Sequence, residues 1–352
     1  MVSADWRLMQ CVWYNPFLPQ WRHVLIREAS WVGTMSVLTI TDPHTGSTAR
    51  IAPELGFNCF EFRAMVGGRP VDVLDAMPGF EAGGQKPSRS GIPILFPFPN
   101  RIRAGKFSWR DKQYSLPTND PLNQNAIHGF CLDRAWRVIE QKDDLVTGQF
   151  QLSVDAPDRM DLWPTDFLIE VDYEIVHNRL RANFRIGNPS DRSLPWGLGT
   201  HPYFKLPLGT GSQVEDCLVE VPAAQRWELK ESLPTGTLLD LDEEHDLRDG
   251  AYVSTLKLDD VYTTIDCEGP QFDCTILDER AGLQATLTCP PIFREVVAFT
   301  PPSRSAICIE PYTCPSDAIN LAAKGIDCRW RTLGPGSEFH TWIDITAGPV
   351  LT

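Results

Sequence analysis

The chain has 352 residues, 42% of them hydrophobic, and a formal net charge of −14. That is ample apolar material for a large core, and no apolar run approaches the ~18 residues of a membrane span. The acidic balance argues against nucleic acid and anionic membrane surfaces as partners. None of the ten cysteines forms a C-x-x-C pair, which weighs against zinc-ribbon or thioredoxin chemistry. Many lie in apolar, strand-like runs, where Cys behaves as a small hydrophobe, so reduced thiols and a cytoplasmic location are expected.

The N-terminus, MVSADWRLMQCVWYNPFLPQWRHV, mixes Trp, Arg and Pro. It has no continuous apolar core before a small-residue cleavage site and makes a poor signal peptide. Residues 1–34 are read as an extension of unknown role. A single domain is expected over 35–352, opening on the strand SVLTITD after Met35. From there, long helical periodicity is scarce and short alternating runs recur. FNCFEF (57–62) is the first, and EAGGQKPSRSG (81–91) is a loop by composition.

Next comes GIPILFPFPNRI (91–102), a proline-stiffened apolar run ending in Asn100 and Arg101, and then NAIHGF (125–130), with His128 before a glycine. FLIEVDYEIV (167–176) and LRANFRI (180–186) flank HNRL and predict a hairpin. In LPWGLGTHPYFKLP (194–207) three prolines and two glycines exclude a regular helix and fix His201 on a stiff, extended segment. Such a histidine is either functional or a packed core residue. DLDEEHDLRD (240–249) lacks the glycine and glutamate spacing of a calcium loop and reads as solvated.

LDDVYT (258–263), TTIDC (263–267) and LQATLTC (283–289) follow. ICIEPYTCPSDAINL (307–321) ends an apolar strand on Glu310, with a short helix expected around Ser316 to Ala322. Alternation aims Glu310 into the sheet layer, where a carboxylate is paired or functional. The 25 glycines and 29 prolines supply turns. The pattern is all-β, with two large antiparallel sheets packed as a sandwich and a few short helices.

Four segments together, N-R after a proline-rich strand, H-G, H-P-Y-F and an apolar strand ending in Glu, resemble the aldose 1-epimerase (galactose mutarotase) family. The resemblance runs from about Met35 to near the C-terminus. LPWGLGTHPYF and IEPYTCPSDAINL look most like a bacterial branch of undefined sugar specificity. The resemblance implies the antiparallel supersandwich fold and interconversion of the α and β anomers of a free aldose, with a sugar as the small-molecule partner. It implies Glu310 as catalytic base, His201 as general acid, and Arg101, His128 and an aspartate as substrate contacts. Asp259, three residues before Tyr262, fits the spacing best, with Asp260 the alternative; Asn100 carries over less securely. Phe98, Phe130, Tyr203 and Tyr312 either pack on the sugar or belong to the core.

This reaction needs one base for the C1 hydroxyl and one acid for the ring oxygen, and no metal or redox cofactor. Each positioned group contributes on the order of 10²–10⁴-fold. The expected resting state is an ionised Glu310 beside a charged His201, the imidazole biased upward by a carboxylate. The chain departs from the commoner pattern in Gly-Phe after His128 and Leu-Gly-Thr before His201. Three rivals stand beside this reading: a hexose 6-phosphate epimerase with a cradle from Arg101, Arg103, Lys106 and Arg89, a non-catalytic sugar binder, and a glycosidase or lyase using Glu310 with Asp259.

Overall fold

In Leu168–Val176 and Arg179–Gly187 every second residue is buried: Ile169, Val171, Tyr173 and Ile175 on one strand, Leu180, Ala182, Phe184 and Ile186 on the other. Residues spaced by two share one face of a strand, so this spacing is satisfied when that face meets a core. The two strands pair antiparallel through a turn at His177 and Asn178, the hairpin expected from HNRL. They sit within a nine-stranded sheet that continues through Glu338–Pro349 and Leu283–Cys289. The computed structural model describes residues 35–122, 124–302 and 306–350, and the leader 1–34 lies outside them.

A second, eight-stranded sheet faces the first. Three of its strands lie side by side: Asp259–Ile265, Glu295–Phe299 and Ala306–Tyr312, called below the aspartate, middle and glutamate strands. Gly199–Thr200 and Tyr203–Lys205 both pair with the glutamate strand, and Ile94–Leu95 pairs beyond Gly199–Thr200. Tyr262, Val296, Ala298, Ile307 and Ile309 point into the same core as Ile169 and Val171 of the nine-stranded sheet. The fold is therefore an antiparallel β-sandwich. The opposite face of the eight-stranded sheet carries Val261, Val297 and Tyr312 in a separate apolar cluster. All seven residues of the glutamate strand are buried, because both of its faces are covered.

Elsewhere the elements extend or shift the expected ones. The TTIDC strand begins earlier, at Asp259, and the glutamate strand runs on to Tyr312. The short helix is Ala318–Ala323. The strand expected from Met35 is Leu38–Thr41, the first of a four-stranded sheet that ends at Asp72. Segment 81–91 contains only two short 3-10 turns. None of the nine cysteines among the described residues is disulfide-bonded, and eight are buried; Cys11 lies outside them. No helix among the described residues is long and apolar enough to cross a membrane.

Candidate active site

The proline-stiffened segment 91–102 is the frame on which the site is hung. The His201 amide donates to the Pro93 carbonyl at 3.1 Å, and the Tyr203 amide to Gly91 at 2.9 Å. The His128 amide donates to the Asn100 carbonyl at 2.9 Å, and Phe130 to Phe96 at 2.8 Å. Two distant stretches, 125–130 and 199–205, are thereby held against one rigid segment. Glycines make the approach possible. A Cβ on Gly129, whose φ is +72°, would lie 2.1 Å from the Phe96 carbonyl oxygen. A Cβ on Gly199 would lie 2.5 Å from the Tyr312 ring. The Gly-Leu-Gly before His201 thus leaves room for the side chain that holds Glu310.

Glu310 and His201 meet directly. The carboxylate Oε1 lies 3.2 Å from the imidazole Nε2, and the two residues are 2% and 7% exposed. The Tyr312 hydroxyl donates to the other carboxylate oxygen. Tyr203 stacks on the His201 ring, with centroids 4.8 Å apart and planes 8° from parallel. His128 packs edge-on to His201 at 5.7 Å, and Phe299 at 6.4 Å.

Arg101 lies close enough to act electrostatically on Glu310 and His128, and Asn100 precedes it in the chain. The Arg101 guanidinium donates to Asn100 Oδ1 at 3.0 Å and lies 3.7 Å from Asp120. The Arg101 backbone amide donates to Ser316 Oγ at 3.1 Å, and its carbonyl accepts from the Asp317 amide at 2.7 Å. Asp259 pairs with Phe299 on the middle strand, which in turn pairs with Cys308. It therefore sits two strands from the glutamate strand, on the same sheet face, about 10 Å away at ~4.8 Å per strand. Alternation sends Asp260 to the opposite face, where Arg226 holds it at 3.3 Å.

Burial sets the electrostatics. It pushes the Glu310 carboxyl well above the usual carboxylate range, with Asp259 adding to the rise and Tyr312 and Arg101 opposing it. It pushes the His201 imidazole down to about 3. His128 is also driven well below its ordinary value, first by burial, then by His201 and Arg101. These shifts run against the ionised Glu310 beside a charged His201 expected from sequence: burial favours a neutral carboxyl facing a neutral imidazole. Both arrangements carry one proton, so passing it along the 3.2 Å contact converts one into the other without exchange with solvent.

A cavity of about 560 Å³ adjoins the cluster. Of the six residues singled out from sequence only His128 lines it, together with Lys86, Arg89, Asn119, Asp133 and Arg159. Phe98 and Phe130 also border it, but each packs on Trp163 and is under 5% exposed, so both are mainly core. Tyr203 and Tyr312 support the histidine and the glutamate. The cradle expected from Arg101, Arg103, Lys106 and Arg89 is not assembled as a unit: Arg103 lies 3.5 Å from Asp317, and of the four only Arg89 lines the cavity.

Sequence reasoning missed the role of Tyr312 as a partner of Glu310, and it missed Cys308 as a neighbour of the pair. Both were reachable by counting two residues either way from Glu310 along a strand. It also missed Glu295, a buried carboxyl that accepts from the Trp227 indole at 2.9 Å.

A family model described as aldose 1-epimerase matches residues 69–346. The Escherichia coli K12 protein YihR is 27% identical over 236 residues, 66% of this chain and 72% of that protein. Galactose mutarotase of Rattus norvegicus is 28% identical over 173 residues, and this chain spans about half of it, 48%. Among solved structures, a galactose mutarotase-like protein from Clostridium acetobutylicum superposes with a TM-score of 0.78 at 25% identity, covering 87% of this chain and 94% of that one. An aldose epimerase homologue from C. elegans gives 0.74 at 20% identity, covering 90% and 100%.

Proposed function

The chain belongs to the aldose 1-epimerase family and is an isomerase acting on carbohydrates, and from that premise we propose that it interconverts the α and β anomers of a free aldohexose, with residues 35–352 as the catalytic domain. The observation that carries this reading is the contact between Glu310 and His201. The reaction breaks and remakes the bond between C1 and the ring oxygen. The two atoms that exchange protons, the C1 hydroxyl oxygen and the ring oxygen, are bonded to the same carbon. An acid and a base in mutual contact are therefore suitably spaced to reach both from one side.

In the proposed sequence, the shared proton moves onto His201 as the sugar arrives. Glu310 takes the proton of the C1 hydroxyl while His201 protonates the ring oxygen, the ring opens, and the carbonyl carbon presents its other face by rotation. The same pair then runs in reverse. Arg101, Asn100, His128 and Asp259 hold the remaining hydroxyls, and the residues themselves supply all proton movement. The Tyr312 hydroxyl keeps the carboxylate aimed. A carboxylate-pair hydrolysis mechanism is less well supported, because the oxygen of Glu310 that Tyr312 does not occupy faces an imidazole.

A second reading, epimerisation of a phosphorylated hexose, rests on Lys86 and Arg89 lining the cavity beside His128. Two-dimensional exchange NMR over glucose, galactose and their 6-phosphates separates the two. Faster exchange of the free sugars supports the first reading, and a preference for the phosphates supports the second. Saturable sugar binding with exchange at the uncatalysed rate overturns both in favour of a binding protein.

A further inference from the structure

Cys308 takes no part in the reaction just described, yet it lies at its centre. It stands two residues before Glu310 on the same strand, so alternation turns both side chains to one face. It is fully buried. Its sulfur, an imidazole nitrogen of His201 and a carboxylate oxygen of Glu310 all lie within 4.8 Å of one another. The surroundings hold these donors in place. Tyr312 occupies one oxygen of Glu310 and leaves the other toward the histidine. Tyr203 fixes the imidazole plane by stacking. The His201 Nδ1 is buried and has no hydrogen-bond partner.

We propose that Cys308, His201 and Glu310 form a binding site for a thiophilic divalent cation, Zn²⁺ foremost, whose occupancy switches the enzyme off. Zinc takes thiolate at about 2.3 Å, imidazole at about 2.0–2.1 Å and carboxylate at about 2.0–2.2 Å in tetrahedral geometry, which spaces neighbouring donors roughly 3.4–3.7 Å apart. The present spacings, from 3.2 Å to at most 4.8 Å, approach that with side-chain movements of about 1 Å. The fourth position is left for water. One sulfur, one nitrogen and one oxygen suit a borderline-soft ion and are a poor set for Mg²⁺ or Ca²⁺, which take six or more oxygens. An ion held by the imidazole and the carboxylate ties up the two groups between which the shared proton moves, so the pair can no longer transfer it. Metal binding stands independently of the proposed reaction; the inhibition rests on it.

The test uses the full chain. Zn²⁺ is titrated by competition with a chromophoric chelator, Co²⁺ is bound in parallel for its spectrum, and anomer exchange is followed at each Zn²⁺ level. The expected result is one tight Zn²⁺ per chain, a thiolate-to-cobalt charge-transfer band, and exchange that falls in step with occupancy. Cys308→Ser is expected to bind Zn²⁺ roughly 100-fold more weakly, or worse, and to lose the band. A wild-type Co²⁺ complex without that band overturns the site, whatever the folding of the variant. A band with undiminished exchange overturns the inhibition. If no aldose is exchanged even without metal, the epimerase reading fails, while the cobalt spectrum still decides the site.

Discussion

Glu310 and His201 touch, carboxylate oxygen to imidazole nitrogen at 3.2 Å, although 109 positions separate them in the chain. The glutamate comes from a central strand, and the histidine from the link between two short strands that both pair with it. Every step of the proposed chemistry passes through this contact.

Removing either partner is expected to stop the reaction without emptying the site. Glu310→Gln keeps the shape and the hydrogen bond from Tyr312 but cannot take a proton. Anomer exchange is expected to fall by on the order of 10²–10⁴-fold, with sugar affinity, read by calorimetry, held within about tenfold. His201→Asn is expected to be nearly as severe. Exchange retained in the glutamine variant shows that the base is a different residue.

The pH profile carries the signature of a shared proton. Burial holds His201 down at about 3 and raises Glu310, so the pair keeps one proton across the neutral range. A second proton is added only in strong acid, and the shared one leaves only when the pH climbs past the raised Glu310 value. The rate is therefore expected to show no break near the ordinary histidine value of about 6.5 and to fall on the alkaline side. A single inflection near that value in kcat/KM contradicts the buried, coupled pair.

Tyr312→Phe separates positioning from catalysis. The hydroxyl pulls the Glu310 value down by donating to its carboxylate. Without it the carboxyl holds its proton to higher pH, so the alkaline limb is expected to move upward while kcat drops about tenfold, a loss on the scale of one charge-assisted hydrogen bond. An unmoved profile in a folded variant reduces Tyr312 to a packing residue.

The two adjacent aspartates are expected to behave oppositely. Asp259→Asn alters the face that bears Glu310 and is expected to raise KM with a smaller effect on kcat. Asp260→Asn breaks the partly buried contact with Arg226 on the inner face and is expected to lower Tm with KM unchanged. Steady-state kinetics beside thermal melts decide the assignment, and the reverse pattern refutes it.

Glu295 makes a prediction about stability alone. Burial raises its carboxyl to about 8, against opposing hydrogen bonds from Trp227 and Thr263. The unfolded chain releases this proton from about 4.5 upward while the folded chain keeps it to about 8, so folding stability falls as pH rises through that window. Each pH unit crossed costs about 1.4 kcal/mol, and the whole window therefore costs a few kcal/mol. Glu295→Gln, which still accepts from the indole, is expected to be more stable than wild type at pH 8 and to flatten the slope; the Glu310 contribution remains. Denaturant melts at pH 5 and pH 8 measure both effects, and parallel losses in the two proteins exclude the mechanism.

Much of this molecule was legible in the linear chain because its information there is local. Alternation marks a half-buried strand wherever it occurs, so the antiparallel sandwich and the hairpin at His177 followed from periodicity, and an apolar run marked the strand that carries Glu310, although it continues to Tyr312. The side chains of the site stood out because each sits beside prolines, glycines and aromatics that restrict the backbone, and their order matched a family pattern. Which aspartate faces the site is also a matter of alternation, but the choice required knowing which sheet face holds Glu310. Only the tertiary structure supplied that, along with the Tyr312 hydrogen bond, the Cys308 neighbour and the cavity beside His128. The direction in which burial shifts the central pair lay furthest from sequence. An ionisable group's charge state is governed by how much water its neighbours exclude, and that depends on every segment packed around it rather than on the residues next to it in the chain.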